Sequence, residues 1–124
     1  MRSAAMAERT SILIVEDEPL IAMMLEDFID SMGYRVVATC DTLGEALEQV
    51  EQGGFDLAIL DVHLNGETVW PLAERLSAEK IPFILATGGH VDPPPAKFNQ
   101  VMVIEKPYTM ERVSVVIEAA LAGA

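Results

Sequence analysis

Short apolar runs alternate with amphipathic segments along this chain, and the alternation predicts which residues form strands and which form helices. Five runs are short, largely apolar and bounded by turn residues or charges, as is typical of strands buried on both faces of a sheet. Gly53 and Gly54 precede the third of these runs, and an acid closes it. The predicted strands are 11–15, 35–39, the apolar run 57–60 within the stretch 55–61, 81–86 and 101–104.

Apolar residues between these runs recur every three or four positions, which is the spacing of an amphipathic helix. The first such segment begins at Pro19, a residue that is tolerated in the first turn, and Gly33 follows it as a C-terminal cap. Asp41 or Thr42 can cap the second segment. The predicted helices cover about 19–32, 42–52, 67–79 and 109–121.

The segment 88–99 differs from the other connections because it lacks a periodic apolar pattern. Pro93, Pro94 and Pro95 are consecutive, and such a run excludes a regular helix interior, so at most one or two turns fit before Asn99. Five strands alternating with four regular helices and one shortened, irregular helix predict an α/β fold. We expect a doubly wound parallel sheet with right-handed crossovers and helices on both faces.

Composition narrows the classes of partner that the domain can bind. The 124 residues include 20 acids and 8 bases, for a formal charge of −12, and a chain of this length forms one domain with its own core. The negative charge argues against nucleic acid and against an anionic membrane surface, because both attract basic patches. It is compatible with a site that collects cations, although surface acid also serves solubility.

Cysteine content and hydropathy favour the cytoplasm as the location of the protein. Cys40 is the only cysteine, so the chain forms no internal disulfide. No apolar run approaches the roughly 18 residues of a transmembrane helix. Residues 1–9 lack the apolar segment of a signal peptide, and we expect them to form a flexible tail before a domain at 10–124.

Five polar or charged residues lie at the carboxyl ends of the predicted strands. In a parallel sheet these ends share one edge, which is where open α/β sheets bind ligands. Each residue taken alone has an ordinary explanation, and Asp61, for example, could simply cap the next helix. Their joint position after four different strands favours a single functional site. The five are Glu16, Asp17, Asp61, Thr87 and Lys106.

The carboxylates in this set predict a magnesium site. Mg²⁺ prefers a few carboxylate oxygens together with waters and a phosphoryl oxygen, whereas transition-metal sites usually recruit histidine or cysteine. Glu16, Asp17 and Asp61 supply such oxygens, and another divalent cation such as Mn²⁺ could use the same ligands. His63 lies in the turn after Asp61, where its backbone carbonyl is a better candidate ligand than its ring.

The other two residues add a cation and a hydroxyl to the same edge. Lys106 can pair with Asp61 at rest and with a phosphoryl oxygen later, and Thr87 can offer its hydroxyl to the same oxygens. Gly88 and Gly89 permit the close approach of backbone N–H groups. A carboxylate beside a divalent cation, a lysine and a hydroxyl is suited to accept a phosphoryl group.

Over about 10–121 the chain resembles the receiver domain of two-component response regulators. The resemblance implies a flavodoxin-like sheet with the strand order 2-1-3-4-5. It also implies a role for each residue of the predicted site. The phospho-acceptor would be Asp61, the metal-binding acidic pair Glu16 and Asp17, the switch hydroxyl Thr87 and the phosphoryl-contacting base Lys106. The Lys-Pro pair at 106–107 matches one that typically has a cis peptide bond in the family.

Two features distinguish the chain from typical receivers. Val103 occupies the position of the fifth-strand aromatic, three residues before the lysine, and the fourth helix is shortened and rich in proline. Residues 82–89 read Pro-Phe-Ile-Leu-Ala-Thr-Gly-Gly. This resembles the Pro-Phe-x-Phe-Ala-Thr-Gly-Gly/Tyr signature of an atypical subgroup, with Leu85 replacing its second Phe. Members of the subgroup include single-domain regulators of the alphaproteobacterial general stress response.

The resemblance implies a binding protein that is switched by phosphorylation. A sensor histidine kinase would phosphorylate Asp61, and the segment 88–99, mobile at rest and ordered when Thr87 engages the phosphoryl group, would engage or release a protein partner. We expect a monomer rather than a stable dimer. It would catalyse only its own phosphorylation and dephosphorylation.

Two other functions compete with this hypothesis. The chain could be a phosphorelay carrier or phosphate sink, which exchanges phosphate with a phosphotransfer protein without a conformational output. It could also be an aspartyl-phosphate phosphohydrolase, but enzymes of the haloacid dehalogenase type require a second Asp two residues after the nucleophile. That position is His63.

Overall fold

Seven short strands lie along the described part of the chain, and five of them form one parallel sheet. The structure, a computed structural model, describes residues 10–88, 94–98 and 100–122. The strands are β1 (Ser11–Val15), β2 (Arg35–Cys40), β3 (Leu57–Asp61), β4 (His63–Leu64), β5 (Glu67–Thr68), β6 (Phe83–Thr87) and β7 (Met102–Glu105). The sheet has the order β2-β1-β3-β6-β7, which is the expected 2-1-3-4-5 when its strands are numbered alone.

The described residues also form four α-helices and one short 3-10 helix. They are α1 (Pro19–Ser31), α2 (Leu43–Gln52), α3 (Trp70–Ala78), α4 (Met110–Ala122) and the 3-10 helix Ala96–Phe98. Pro19 opens α1 as expected, and Gly33 follows that helix with a positive φ of 89°, a conformation that suits glycine. Thr42 rather than Asp41 caps α2, because its hydroxyl accepts a hydrogen bond from the Glu45 N–H at 3.1 Å.

The three central strands of the sheet are buried on both faces, and alternate side chains of each enter different apolar layers. In the α1–α4 layer, Ile12, Ile14 and Ile59 pack against those two helices. In the α2–α3 layer, Leu13 and Leu60 pack against the other two. Every residue of β1, β3 and β6 is buried, so these strands appear in the sequence as continuous apolar runs. The doubly wound fold is confirmed.

The predicted helix over 67–79 is wrong at its start. Glu67 and Thr68 instead form β5, which pairs antiparallel with β4 in a separate two-stranded ribbon. Asn65 and Gly66 between them have positive φ angles of 52° and 82°, as in a two-residue hairpin turn. The helix α3 begins only at Trp70, with proline in its first turn. The Asn-Gly pair reverses the chain here before the helix can begin.

Several strand boundaries differ from the predicted ones by one or two residues. The strand β2 extends to Cys40, β6 begins at Phe83 and includes Thr87, and β7 covers Met102–Glu105. The strand β3 begins at Leu57, where the predicted apolar run begins, and it includes Asp61 at its end. Strand ends depend on where the neighbouring strand offers hydrogen-bond partners, which an apolar run in the sequence does not specify.

The described residues 94–98 of the fourth connection include a short 3-10 helix, as expected of a shortened helix. Pro94 and Pro95 precede a 3-10 helix of three residues, in which Phe98 is buried. Of the predicted switch at 88–99, residues 89–93 and 99 lie outside the described residues, as does the predicted tail at 1–9. Among the helices that the structure describes, none is long and apolar enough to cross a membrane.

Candidate functional site

The predicted acidic residues meet at the carboxyl ends of β1 and β3. One carboxylate oxygen from each of Glu16, Asp17 and Asp61 lies within 4.8 Å of the other two. The parallel register causes this, because Val15 pairs with Leu60 and the acids follow directly. Glu16 and Asp61 are only 2% and 6% exposed, whereas Asp17 is partly open to solvent. The predicted convergence of these three residues is therefore present.

Burial makes Glu16 a weak acid in this site. Its burial, followed by the negative charge of Asp61, raises the pKa of Glu16 to about 7. The Glu18 N–H, which donates to Glu16 Oε2 at 3.1 Å, and the Lys106 ammonium oppose this shift. The ionised form of Glu16 is therefore disfavoured in its surroundings, and a cation bound beside it would favour that form.

Asp61 lies between one backbone donor and one cation. Its Oδ1 accepts a hydrogen bond from the His63 N–H at 3.3 Å, and its Oδ2 lies 3.1 Å from Lys106 Nζ. Burial raises the pKa of Asp61 above its ordinary value, although Lys106 opposes that shift. The carboxylate is thus held in position at the strand end while one side of it faces the open edge of the sheet.

Lys106 contacts more carboxylates than the single one that the sequence predicts. Its Nζ lies 3.1 Å from Glu16 Oε1, 3.1 Å from Asp61 Oδ2 and 3.4 Å from Glu18 Oε2. Burial alone would lower the pKa of the Lys106 ammonium, but the charges of Asp61 and Glu16 outweigh it and raise that pKa. The lysine therefore stays protonated and neutralises part of the charge of the cluster. The Lys106–Pro107 peptide bond is cis, as the resemblance implies.

Thr87 completes the predicted set at the end of β6. It is buried, and its backbone carbonyl accepts a hydrogen bond from the Lys106 N–H at 2.9 Å, which fixes the distance between β6 and the lysine. Thr87, Gly88, Asp17, Asp61 and Lys106 line one open cavity of about 470 Å³. This volume is sufficient for a hydrated ion and a phosphoryl group together. All five predicted side-chain groups therefore reach one site.

His63 and Asn65 extend the rim of the site through the β4–β5 ribbon. The His63 side chain is exposed, and the use of its backbone carbonyl as a metal ligand stays a prediction. Asn65 was not among the predicted site residues. Its N–H donates to Asp17 Oδ2 at 2.9 Å, and its side-chain amide donates to the Asp41 carbonyl at 2.6 Å. The Asn-Gly turn was the sequence signal that could have identified it.

Comparison with known proteins identifies the same kind of domain. The response regulator receiver domain family matches residues 12–118, which include every residue of the site. The sensory transduction protein LytT of Enterococcus faecalis is 36% identical over 115 residues, which cover 88% of this chain and 47% of LytT. The phyllosphere-induced regulator PhyR of Methylorubrum extorquens is 30% identical over 129 residues, which cover 97% of this chain and 46% of PhyR. The chain spans about half the length of these curated relatives.

One similar solved structure matches the chain over almost its whole length. The solution structure of SdrG from Sphingomonas melonis Fr1 has a TM-score of 0.83 and 51% sequence identity. The match covers 92% of this chain and 98% of SdrG. SdrG has also been solved in a BeF3-activated conformation.

Proposed function

The chain belongs to the response regulator receiver domain family and is a phospho-accepting regulator of two-component signalling, and we propose that Asp61 is its phospho-acceptor. Its similarity to SdrG and PhyR supports the atypical receiver type of alphaproteobacterial stress-response regulators. One observation carries the assignment of Asp61. Its carboxylate lies 3.1 Å from Lys106 Nζ and within 4.8 Å of carboxylate oxygens of Glu16 and Asp17.

The donor set of the cluster fits a divalent cation of the hard type. Glu16, Asp17 and Asp61 offer only oxygen, and a positive charge between them would favour the ionised form of Glu16, whose pKa is raised by burial first and then by the charge of Asp61. We therefore assign Mg²⁺, or Mn²⁺ in its place, to these residues, with the His63 carbonyl as a further oxygen ligand. When bound, the ion would neutralise charge on the phosphoryl oxygens.

The phosphoryl transfer requires little of the protein except positioning and charge compensation. An oxygen of Asp61 attacks the phosphorus of a phosphohistidine on a sensor histidine kinase. The new P–O bond forms as the P–N bond breaks, and the imidazole leaves with the electron pair of that bond. Lys106 then follows the negative charge from the Asp61 carboxylate to a phosphoryl oxygen. Thr87, at the end of the neighbouring strand β6, donates a hydrogen bond from its hydroxyl to another phosphoryl oxygen.

The same site supports a switch that is read out by protein binding. Along β6, Thr87 shares a face with Phe83, and the Phe83 ring contacts Phe98 edge-on with 5.9 Å between the ring centroids. We propose that a movement of Thr87 toward a phosphoryl group is transmitted along β6 to Phe83, and from there to the 3-10 helix that carries Phe98. Val103, which replaces the usual aromatic, is 44% exposed and offers no ring to move.

We assign the output to a protein partner rather than to a reaction on small molecules. A PhyR from Bartonella quintana is described as an anti-anti-sigma factor, which supports a phosphorylation-dependent protein partner for this chain as well. We further propose that residues 10–124 act as the receiver unit, in the cytoplasm and as a monomer. The domain would catalyse only its own phosphorylation and dephosphorylation.

Phosphorelay is the second candidate function, because the geometry of the site suits a phosphorelay carrier as well as a switch. Stopped-flow transfer from the cognate kinase, with and without the partner, separates them. A switch should change its partner affinity on phosphorylation. A carrier should instead pass the phosphoryl group on to a phosphotransfer protein, with the same partner affinity before and after.

Asp61→Asn tests the assignment of the acceptor. The amide cannot act as the carboxylate nucleophile, so the variant should take up no phosphate from the kinase or from a small phospho-donor. Asp41→Asn is a matched control, because Asp41 is exposed just after β2 at the same edge of the sheet. A phosphate-affinity gel should show the shifted band for Asp41→Asn only. An Asp61→Asn protein that shifts like wild type would refute the assignment.

A further inference from the structure

Tyr108 carries a buried hydroxyl that the site described above does not use. The residue follows Lys106 by two positions and is only 5% exposed. Within the part of the chain that the structure describes, its hydroxyl has no hydrogen-bond partner. Burying a hydroxyl without a partner costs free energy, so buried tyrosines usually donate to an acceptor. The donor of Tyr108 is therefore available for an acceptor that reaches it in another state of the site.

Two carboxylates of the site lie on the same face of the sheet as Tyr108. Tyr108 packs in the α1–α4 layer with Ile12 and Ile14 of β1. Glu16 continues the alternation of that strand onto the same face, since its N–H still pairs with the Cys40 carbonyl at 2.9 Å. Asp61 follows Ile59 onto this face in the same way. The Tyr108 hydroxyl and these two carboxylates thus lie on one side of the sheet.

Electrostatics agree with this placement. Burial first, and then the charges of Glu16, Asp61 and Glu18, raise the pKa of Tyr108 well above its ordinary value. The phenol therefore stays protonated and can act only as a neutral donor toward those charges. Among the described residues, Lys106 is the cation that occupies the same carboxylates at rest, with Nζ 3.1 Å from Glu16 Oε1 and 3.3 Å from Oε2.

This inference rests on the proposed function. Phosphorylation of Asp61 changes the balance of charge around Glu16. When Lys106 follows the charge to the phosphoryl group, Glu16 loses the ammonium that both of its oxygens face. We propose that Tyr108 is a positioning residue whose hydroxyl donates a hydrogen bond to the Glu16 carboxylate once Lys106 has left it. The bond holds Glu16 in place beside the acceptor and favours the phosphorylated state over the resting state.

The two tyrosines of the chain allow a direct spectroscopic test. Tyr34→Phe leaves Tyr108 as the only tyrosine, and Tyr34 lies just before β2, at the opposite edge of the sheet from the site. The Raman doublet and the Cζ chemical shift of tyrosine both distinguish a free hydroxyl from a donor. In the full-length Tyr34→Phe chain with Mg²⁺, Tyr108 should give the signal of a free hydroxyl. Addition of beryllofluoride, a stand-in for the phosphoryl group, should change that signal to the one of a donor.

Tyr108→Phe provides the functional counterpart. It should bind beryllofluoride about tenfold more weakly than Tyr34→Phe, as expected for one lost hydrogen bond to a charged group. Its affinity for Mg²⁺ alone should be unchanged, whereas a merely structural role of Tyr108 would weaken the domain equally with and without beryllofluoride.

If Tyr34→Phe binds beryllofluoride while the Tyr108 signal stays that of a free hydroxyl, the inference is wrong and the proposed function stands. If Tyr34→Phe binds no beryllofluoride, both are wrong. The spectroscopic result decides by itself if Tyr108→Phe does not fold.

Discussion

Lys106 balances the charge of the resting site. Its ammonium lies 3.1 Å from Glu16 and from Asp61, both of which are buried, while the contact with the exposed Glu18 is longer at 3.4 Å. Two buried carboxylates this close together repel each other unless a cation compensates them. Lysine and a divalent cation neutralise part of the same charge, so the loss of one should increase the effect of the other.

Lys106→Ala should destabilise the metal-free domain by on the order of 3 kcal/mol, because two buried carboxylates lose their cation. Added Mg²⁺ should recover most of this loss, and urea unfolding in EDTA and in Mg²⁺ would measure both values. Lys97→Ala, at an exposed lysine, is the control and should change the stability of the domain little.

The phosphorylated Lys106→Ala protein should bind its partner poorly. Wild-type partner binding at equal phosphorylation would contradict the role of the lysine.

The raised pKa of Glu16 predicts how the stability of the metal-free domain depends on pH. Its pKa is about 7 in the folded state, against an ordinary value of 4.5 for a glutamate side chain. Between these values the folded protein holds more protons than the unfolded chain, so the free energy of unfolding should fall as the pH rises. The contribution of this one residue is at most about 3 kcal/mol, because each pKa unit corresponds to about 1.4 kcal/mol.

Glu16→Gln isolates that contribution, since glutamine is neutral at both ends of the range. Urea unfolding in EDTA at about pH 5 and about pH 7 should show a clear loss of stability for wild type and a smaller one for the variant. An equal loss in both proteins would mean that other groups cause the dependence.

At the scale of secondary-structure elements, three aromatic rings attach the 3-10 helix to the rest of the domain. Phe98 stacks on Trp70 of α3 with 5.9 Å between ring centroids and 16° between the planes, and it contacts Phe83 of β6 edge-on. The surface ion pair between Lys97 and Glu74 adds little, because both side chains are more than half exposed. Phe98 is thus the main link between the shortened helix and the strand that ends at Thr87.

Phe98→Ala should therefore uncouple the site from the 3-10 helix. Trp70 is the only tryptophan, and its emission should change when beryllofluoride binds to the wild-type protein. The variant should bind beryllofluoride with a much smaller emission change, and it should also lose on the order of 3 kcal/mol of stability as a buried ring is removed. Lys97→Ala in the same helix should retain the full change. A full emission change in Phe98→Ala would show that the signal takes another route.

The elements also show how much the sequence predicts and where prediction ends. The three central strands were predictable because burial on both faces leaves continuous apolar runs, and the site was predictable because parallel strands bring Asp61 and Lys106 to one edge. The β4–β5 ribbon was missed because its strands are two residues long and carry no apolar pattern. The contacts of Lys106 with Glu16 and of Phe98 with Trp70 depend on side-chain packing between distant residues, which spacing along the chain does not specify.

At the scale of the whole molecule, the formal charge of −12 makes every cation stabilising to some degree. Self-repulsion among like charges opposes the compact state, and added salt screens it. A rise in stability with Mg²⁺ is therefore not by itself evidence for a metal site. Asp17→Asn separates the two effects, because it removes one carboxylate of the cluster while its amide oxygen can still accept the Asn65 N–H that Asp17 accepts at 2.9 Å.

NaCl should raise the melting temperature of wild type and of Asp17→Asn alike. MgCl₂ at the same ionic strength should raise it further in wild type only. At a hundredfold excess over its dissociation constant a bound ion adds about 2.7 kcal/mol, which corresponds to several degrees for a domain of this size. Without Mg²⁺ the variant should be slightly more stable than wild type, because one like-charge repulsion is gone. If Asp17→Asn gains as much from Mg²⁺ as wild type does, the ion acts as a general counter-ion and the metal site is wrong.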